Sequence, residues 1–310
     1  MAEPTTMVER AGVSLVAEQH GDPAAPGILL SHGVASSNWF PEESLVAPLV
    51  AGGYRVELMG LPGHDPSSPC TDVDRYALDE VAEDLAVMAL ETGCRIVGGV
   101  SLAAHAAARL VTLRSPRRGS HDRRVVDLDA LVLCLPAWVG RATPGEGVHA
   151  RIADDVRTLG VPSMLDRLRA DRTMARWLQH TLPRDWARHD PDSIAAALIS
   201  LDGGDAPSRD ELRSVDLPAA ILAWPDDPGH PIEAARRWHE LLPNSALRET
   251  TIDDLQDDRT LFGRLALDAL TELGVEGPTF GRRPSRGGRT GRGVRRPGTG
   301  RGHRGSGWGR

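Results

Sequence analysis

The chain has 310 residues, a formal net charge of −7, 40% hydrophobic residues and 25% charged residues. These values are ordinary for a globular protein, and the length allows one large α/β domain or two smaller ones. No apolar run approaches the ~20 residues of a membrane-spanning helix, and residues 1–10 lack the pattern of a secretory signal, so we expect neither membrane insertion nor secretion. Three scattered cysteines without metal-site spacing favour a reducing, cytoplasmic location: Cys70, Cys94 and Cys134.

The charge is unevenly distributed along the chain. Residues 277–310 hold 10 arginines, 12 glycines and no acid, whereas residues 1–276 hold the other 26 arginines and all 43 acids. Because so few apolar groups cannot offset the entropy of ordering, we predict that residues 277–310 are a disordered tail. The simpler interpretation of this tail is a solvated extension. An electrostatic tether for nucleic acid or another polyanion is the alternative.

Strands and helices are predicted to alternate over most of the remaining chain. The short apolar runs are typical of strands buried on both faces, and the helices show apolar residues at helical spacing. The predicted strands are 13–19, 27–31, 55–59, 95–100, 129–135, 218–224 and 246–252. The predicted helices are 76–91, 102–113, 231–242 (with Pro231 at its first position) and 261–273. This alternation favours a mostly parallel sheet with helices on both faces.

The alternation stops between residues 136 and 217. This stretch predicts several short helices, and we interpret it as a helical cap over the active edge of the sheet. No linker in the body marks a domain boundary, so we predict one α/β domain over residues 1–276 with the cap inserted at about 136–217. The predicted cap helices are 148–159, 162–169, 173–182 and 191–201.

The sequence Gly-Val-Ser-Leu-Ala at residues 99–103 lies between a predicted strand and a predicted helix. It resembles the G-x-S-x-G nucleophile elbow of the α/β-hydrolase family, with Ala103 in place of the second glycine. Such a turn needs a small residue at position 99 and exposes the hydroxyl of Ser101. It also places the Leu102 N–H at a helix N-terminus, where the N–H can stabilise an oxyanion. Ser101 is therefore the candidate nucleophile.

Two further segments extend this resemblance over about residues 13–273. A His-Gly pair at 32–33 follows a buried strand, and the resemblance implies that the next N–H, of Val34, is the second oxyanion donor. Residues 60–67 are similar to the family's D-x-x-G-H-G-x-S loop. The resemblance implies an α/β-hydrolase fold, and it implies structural rather than catalytic roles for His32 and His64.

The segment Trp-Pro-Asp-Asp-Pro-Gly-His-Pro at 224–231 follows another predicted strand. The family places its triad acid here, so the resemblance implies Asp227, with Asp226 as the runner-up. Such an acid holds the catalytic histidine in one tautomer and stabilises the imidazolium. The alternative for Asp227 is an acid at a helix N-terminus, favoured by the helix dipole.

The chain departs from the family at the catalytic histidine, which should follow the last strand. No histidine lies between His239 and His303, and Asp253 and Asp254 stand near the expected position. With an ordinary pKa near 4, a carboxylate is a weak base for a serine hydroxyl. Three explanations are open: the catalytic base lies elsewhere in the chain, the protein has lost hydrolytic activity, or the sequence is altered near its end.

The best substitute base is His230, three residues after Asp227, although at this spacing we do not expect Asp227 to orient it in the usual way. The equal alternative for His230 is a helix-capping or pocket-lining residue. His105 is interpreted as packing. Further candidate bases lie in the cap: His149, His180 and His189.

These features together predict a serine hydrolase that cleaves a small, mainly apolar ester, thioester or lactone through an acyl-enzyme on Ser101. The alternative is a catalytically degenerate member of the fold that binds a ligand or partner. A polyanion binder acting through the tail is a third, weaker hypothesis. No metal or organic cofactor is implied, and the oligomeric state is not predicted. Apolar cap side chains line a pocket or form the core of the cap itself: Trp138, Leu159, Met164, Leu165, Met174, Trp177 and Leu178.

Overall fold

A computed structural model of the chain describes residues 5–114, 126–141, 148–170, 179, 183–225, 227, 229–275 and 277. All of these belong to one compact unit that extends from Met1 to Thr279. The predicted tail lies outside the described residues except for Gly277. Within the described part of the chain, no helix is both long and apolar enough to cross a membrane.

The described strands form a single eight-stranded sheet in the order β1-β2-β4-β3-β5-β6-β7-β8. β1 and β2 are antiparallel to each other, β2 is antiparallel to β4, and all other neighbours are parallel. β3, β5, β6 and β7 are buried along their whole length because helices cover both faces of the sheet. The strands are β1 Thr5–Arg10, β2 Val13–His20, β3 Gly27–Ser31, β4 Arg55–Met59, β5 Ile96–Val100, β6 Ala130–Cys134, β7 Ala219–Ala223 and β8 Ser245–Glu249.

The helices flank this sheet and also build the cap. α3 packs against α4, and the C-terminal helix α10 packs against α2, β7 and β8. The helices are α1 Trp39–Pro41, α2 Ala47–Ala51, α3 Leu78–Thr92, α4 Leu102–Arg114, α5 Val148–Ala170, α6 Pro191–Leu201, α7 Arg209–Ser214, α8 Ile232–Leu241, α9 Ile252–Asp257 and α10 Leu261–Glu272. A π-helical turn, Glu42–Val46, joins α1 to α2, and a 3₁₀ turn, Val73–Tyr76, precedes α3.

The predicted parallel sheet with helices on both faces is confirmed. The structure differs from the prediction at the ends of some strands and helices and in several short elements. Pro231 is the residue before α8 and not its first residue, because its ψ of 132° is extended. The last predicted strand, 246–252, is shorter, since β8 ends at Glu249 and α9 begins at Ile252. β1, α1, α2, α7 and α9 were not predicted.

The cap helices α5 and α6 pack against each other. α5 is broken at Gly160, whose φ of 77° and ψ of 158° are not helical and which lies two residues before Pro162. Its two halves are therefore separate helices, as predicted for 148–159 and 162–169. α6 matches the predicted helix 191–201, whereas the predicted helix 173–182 lies outside the described residues except for Gln179.

A second apolar cluster joins the cap helices to the loop after β3. It contains Met164 and Leu165 together with Trp186, residues of α5 and α6, and Ala35, and Val34 packs against it. These two side chains are therefore buried where the cap meets that loop. Leu159 is 45% exposed, and Met174, Trp177 and Leu178 lie outside the described residues.

Candidate active site

The candidate nucleophile lies at the sharp turn between β5 and α4. Ser101 has a φ of 56°, a left-handed conformation that costs a residue with a side chain about 1–3 kcal/mol and persists only where its surroundings impose it. Its N–H donates to the Cys134 carbonyl at 2.9 Å, and its carbonyl accepts from the His105 N–H at 3.0 Å. The turn is thus held by β6 on one side and by α4 on the other.

Glycine is required at position 99 by its close neighbours. A Cβ there would lie 2.3 Å from the Ser31 carbonyl oxygen and 2.6 Å from the Cβ of Ala103. Only one of the two facing positions can therefore carry a side chain. This explains why Ala103 replaces the second glycine of the elbow pattern.

The loop after β3 passes directly beside the nucleophile. A Cβ on Gly33 would lie 3.1 Å from the Cβ of Ser101 and 3.8 Å from its Oγ, so the backbone before Val34 is in contact range of the hydroxyl. The N–H groups of Val34 and Leu102 make no hydrogen bond to other described residues. Both donors that the sequence predicted for an oxyanion are thus unpaired at this edge of the sheet, as an oxyanion hole requires.

His32 and His64 hold the loops after β3 and β4. The Nδ1 of His32 donates to the Gly33 carbonyl at 2.8 Å, and its Nε2 accepts from the Leu61 N–H at 3.2 Å. The Nε2 of His64 accepts from the Ala35 N–H at 3.0 Å, and its Nδ1 donates to the Pro62 carbonyl at 2.8 Å. Burial lowers the pKa of His32 to about 3 and lowers that of His64 well below its ordinary value. Both rings are neutral and fully used in these bonds, so neither is available as a base.

Asp227 and His230 form a hydrogen-bonded pair just after β7. The Nδ1 of His230 donates to Oδ2 of Asp227 at 2.6 Å. A tight turn creates this contact, because the Gly229 N–H donates to Oδ1 at 2.8 Å and the His230 N–H donates to the Asp227 carbonyl at 3.1 Å. The expectation that Asp227 does not orient His230 is therefore wrong. The pair fixes the tautomer in which Nε2 is free to accept a proton. The runner-up, Asp226, lies outside the described residues.

The Asp227 carboxylate is ionised throughout the neutral range. Burial alone raises its pKa, but the hydrogen bond and charge of His230, with the Gly229 N–H, outweigh burial and leave the pKa below its usual value. An ionised acid at this position stabilises a protonated His230.

His105 is a packing residue, as its position on α4 indicated. Its Nε2 accepts from the Ala137 N–H at 2.9 Å, and its ring packs edge-on to Trp138 and stacks on Trp238. Burial, with a smaller contribution from the charge of His230, lowers the pKa of His105 to about 3. The stacking of His105 on Trp238 joins the first turn of α4, the helix that begins next to Ser101, to α8, the helix that follows His230.

The other candidate bases form hydrogen bonds away from Ser101 or lie outside the described residues. Asp254 caps α9, where it accepts from Thr251 through both the N–H and the hydroxyl, and these bonds lower its pKa. His149 binds Asp202 within the cap, and His180 lies outside the described residues. Among the described residues, no cluster of three His, Cys, Asp or Glu side chains is arranged to hold a metal ion.

Residues 28–269 match the sequence profile of the Alpha/beta hydrolase family. The chain belongs to this family. The family and the fold that the elbow and the two loops predicted are therefore confirmed.

Individual proteins resemble the chain over different spans. Rhodomycin D methylesterase DnrP from Streptomyces peucetius is 31% identical over 188 residues, which cover 56% of this chain and 61% of that protein. The match thus spans less than two thirds of this curated relative. Among solved structures, the enol-lactonase from Burkholderia xenovorans LB400 has a TM-score of 0.70 at 18% identity and covers 86% of this chain and 100% of its own. The bromoperoxidase from Bacillus anthracis has a TM-score of 0.68 at 18% identity, with 88% and 100% covered.

Proposed function

We propose that the protein is a serine hydrolase that cleaves a small, mainly apolar carboxylic ester, thioester or lactone. The 2.6 Å bond between His230 and Asp227 carries this proposal, because it supplies an oriented base in a chain that lacks the histidine after β8. The left-handed backbone of Ser101 supports it, since a strained turn has little structural use without chemistry. The methylesterase relative favours a methyl ester as the first substrate to test.

The proposed reaction proceeds in two halves. The Oγ of Ser101 attacks the substrate carbonyl carbon while its proton passes to Nε2 of His230, and the N–H groups of Val34 and Leu102 hold the developing oxyanion. The bond to the leaving group then breaks, and the leaving group takes the proton from His230. Water attacks the acyl-enzyme with His230 again accepting a proton. Collapse of that intermediate returns the proton to Ser101 and releases the acid.

A non-catalytic binding module is the second candidate. The lack of any histidine between His239 and His303 favours it, because the family's base stands just after the last strand. In such a protein the Asp227–His230 pair would be a polar contact at the start of α8 and nothing more. The two candidates differ in one measurable property, the nucleophilicity of Ser101.

Labelling of the full-length protein with a fluorophosphonate probe tests the proposal. We expect the unmodified protein to be labelled, and Ser101→Ala and His230→Ala to lose the label. His239→Ala is the matched control, because this histidine lies on α8 and its ring bonds to the Ser245 hydroxyl, away from the pair. Labelling that persists in His230→Ala would exclude His230 as the base. No labelling of the unmodified protein would favour the binding module.

A further inference from the structure

A segment of the cap, residues 183–190, contacts the loop that carries the candidate oxyanion donor Val34. The Nε2 of His189 donates to the Ser36 carbonyl at 2.8 Å, and its Nδ1 accepts from the Asp65 N–H at 3.2 Å. One ring therefore joins the cap to the loop after β3 and to the loop after β4. With both nitrogens used, His189 is excluded as the base that the sequence left open.

A second cap residue binds the same loop through a carboxylate. Asp185 is fully buried and accepts from the Ser37 hydroxyl at 2.6 Å and from the Ser36 hydroxyl at 3.2 Å. Burial raises the pKa of Asp185, and the two hydroxyl bonds oppose that rise. A buried carboxylate is unfavourable unless its oxygens are hydrogen-bonded, so this contact defines a specific arrangement of the two serines.

The same loop is also held by His64, whose ring contacts that of His189. The ring of His64 lies 5.0 Å from both His32 and His189, and it accepts the Ala35 N–H. Ala35 itself has a left-handed φ of 58°, a strained conformation that persists only when neighbours impose it. The loop from Gly33 to Ser37 is thus fixed by the loop after β4 and by the cap.

We propose that Asp185 and His189 are positioning residues. Through their hydrogen bonds to the loop after β3, the cap orients the Val34 N–H toward the oxyanion. This inference rests on the proposed function, because it assigns the two residues to that same site. An oxyanion donor acts at about 2.7–3.1 Å from the oxygen, and a shift of about 1 Å can lower a rate about 10²-fold. The cap then controls catalytic competence as well as access.

Two variants remove the cap contact with little change in volume. In Asp185→Asn, the amide NH₂ cannot accept a hydroxyl hydrogen bond, and Ser37→Ala removes the hydroxyl itself. The matched control is Asp190→Asn on the same cap segment, because the Asp190 carboxylate binds Ser193 at the start of α6 and not the loop 33–37. Steady-state hydrolysis of p-nitrophenyl acetate gives kcat and KM, and hydrogen exchange reports on the amides of residues 33–38.

We expect Asp185→Asn and Ser37→Ala each to lower kcat about 10-fold or more with KM changed less than about twofold. The double variant should lose less than the sum of the two single variants, because both single variants lack the bond between Ser37 and Asp185. Amide hydrogen exchange in residues 33–38 should be faster in both single variants than in the unmodified protein. Asp190→Asn should leave kcat and this exchange unchanged, even where it lowers the thermal stability of the cap.

The outcomes separate this inference from the proposed function. If the wild-type protein is active, and kcat is unchanged both in Ser37→Ala and in an Asp185→Asn protein that folds, the inference is overturned and the proposed function remains. A wild-type protein that neither turns over nor labels would overturn the function and the catalytic part of the inference together. In that case unchanged exchange in residues 33–38 of Ser37→Ala would overturn the cap contact as well.

Discussion

Replacement of Asp227 by asparagine tests the candidate acid–base pair most directly. The amide side chain of Asp227→Asn would keep the oxygen that accepts the Gly229 N–H, so the turn should survive. Its NH₂ group would face Nδ1 of His230 in place of the carboxylate oxygen at 2.6 Å. To accept from that NH₂, Nδ1 must lose its proton, which places the remaining ring proton on Nε2. His230 then presents a donor to Ser101 and cannot act as its base.

The size of the effect follows from the geometry of the pair. With the charge centres about 4 Å apart, a carboxylate attracts an imidazolium by roughly 1 kcal/mol in bulk water and roughly 4 kcal/mol at an effective dielectric constant near 20. The side chains of His230 and Asp227 are 24% and 22% exposed, so the site lies between these limits but nearer the second. Loss of about 2–4 kcal/mol of transition-state stabilisation corresponds to a roughly 30- to 1,000-fold lower kcat.

The assay is steady-state hydrolysis of p-nitrophenyl acetate combined with the rate of fluorophosphonate labelling. Asp254→Asn is the matched control, because Asp254 caps α9 and is not part of the pair. We expect a fall in both rates for Asp227→Asn, a nearly unchanged KM, and little effect in the control. A kcat within about threefold of the unmodified protein, less than 1 kcal/mol in transition-state stabilisation, would refute the role of Asp227.

The pH dependence of this pair has a definite sign. The pKa of Asp227 is lowered in the folded state, so the ionised side chain stabilises the fold above the pKa of the unfolded state, near 3.9. This stabilisation is lost as the pH falls through the lower pKa of the folded state. Changes in activity between pH 5 and 9 therefore do not arise from titration of Asp227. Infrared detection of a protonated Asp227 carboxyl group between pH 5 and 9 would contradict this assignment.

Three further predictions concern the core around the site. Gly99→Ala should lower the free energy of unfolding by at least about 1–3 kcal/mol in urea titrations, because its Cβ would meet the Ser31 carbonyl at 2.3 Å. Stability should fall between pH 6.5 and about 3, by up to about 1.4 kcal/mol per pH unit for each of His32 and His105, since burial keeps both neutral with a pKa of about 3. Cys134, buried and with its pKa raised by burial to about 12, should react with iodoacetamide at pH 8 only after unfolding.

Each of these three predictions has its own refuting result. Unchanged stability of Gly99→Ala would show that the elbow can shift to admit a methyl group. For the pH dependence, His105→Phe should reduce the slope of stability against pH, whereas His239→Gln on the exposed side of α8 should not. Equal slopes in all three proteins would refute the neutral state of His105. Rapid alkylation of Cys134 in the folded protein would refute its burial.

The central strands were predictable because burial on both faces leaves a continuous apolar run in the sequence. β3 and β4 have the bounds that the sequence predicted, 27–31 and 55–59. β1 was missed because its burial alternates between exposed and half-buried residues. It is held by pairing with β2 and by the ion pair of Arg10 with Asp84, a residue 74 positions away that no local pattern connects to it.

The candidate site was likewise predictable only where a local sequence pattern defines it. The position of Ser101 followed from a local strand–turn–helix pattern, because the steric needs of a sharp turn appear in five consecutive residues. The contact of Asp227 with His230 depends on how one turn folds back, and three-residue spacing alone suggested that the acid does not orient the histidine. The backbone bonds of Gly229 and His230 decide this direction.

The sequence by itself determined most of the strands and helices, the family, the elbow at Ser101 and the lack of a histidine between His239 and His303. These properties depend on burial patterns and on short stretches of backbone. The tertiary structure alone decided which histidines are neutral and hydrogen-bonded to loop backbone, and that the cap contacts the loop after β3. The reason is distance along the chain, because Ala35 and His64 are 29 residues apart and Ser36 and His189 are 153 apart. Pairing of β3 with β4 brings the first two residues within hydrogen-bonding distance, and packing of the cap on the loop after β3 does so for the second two.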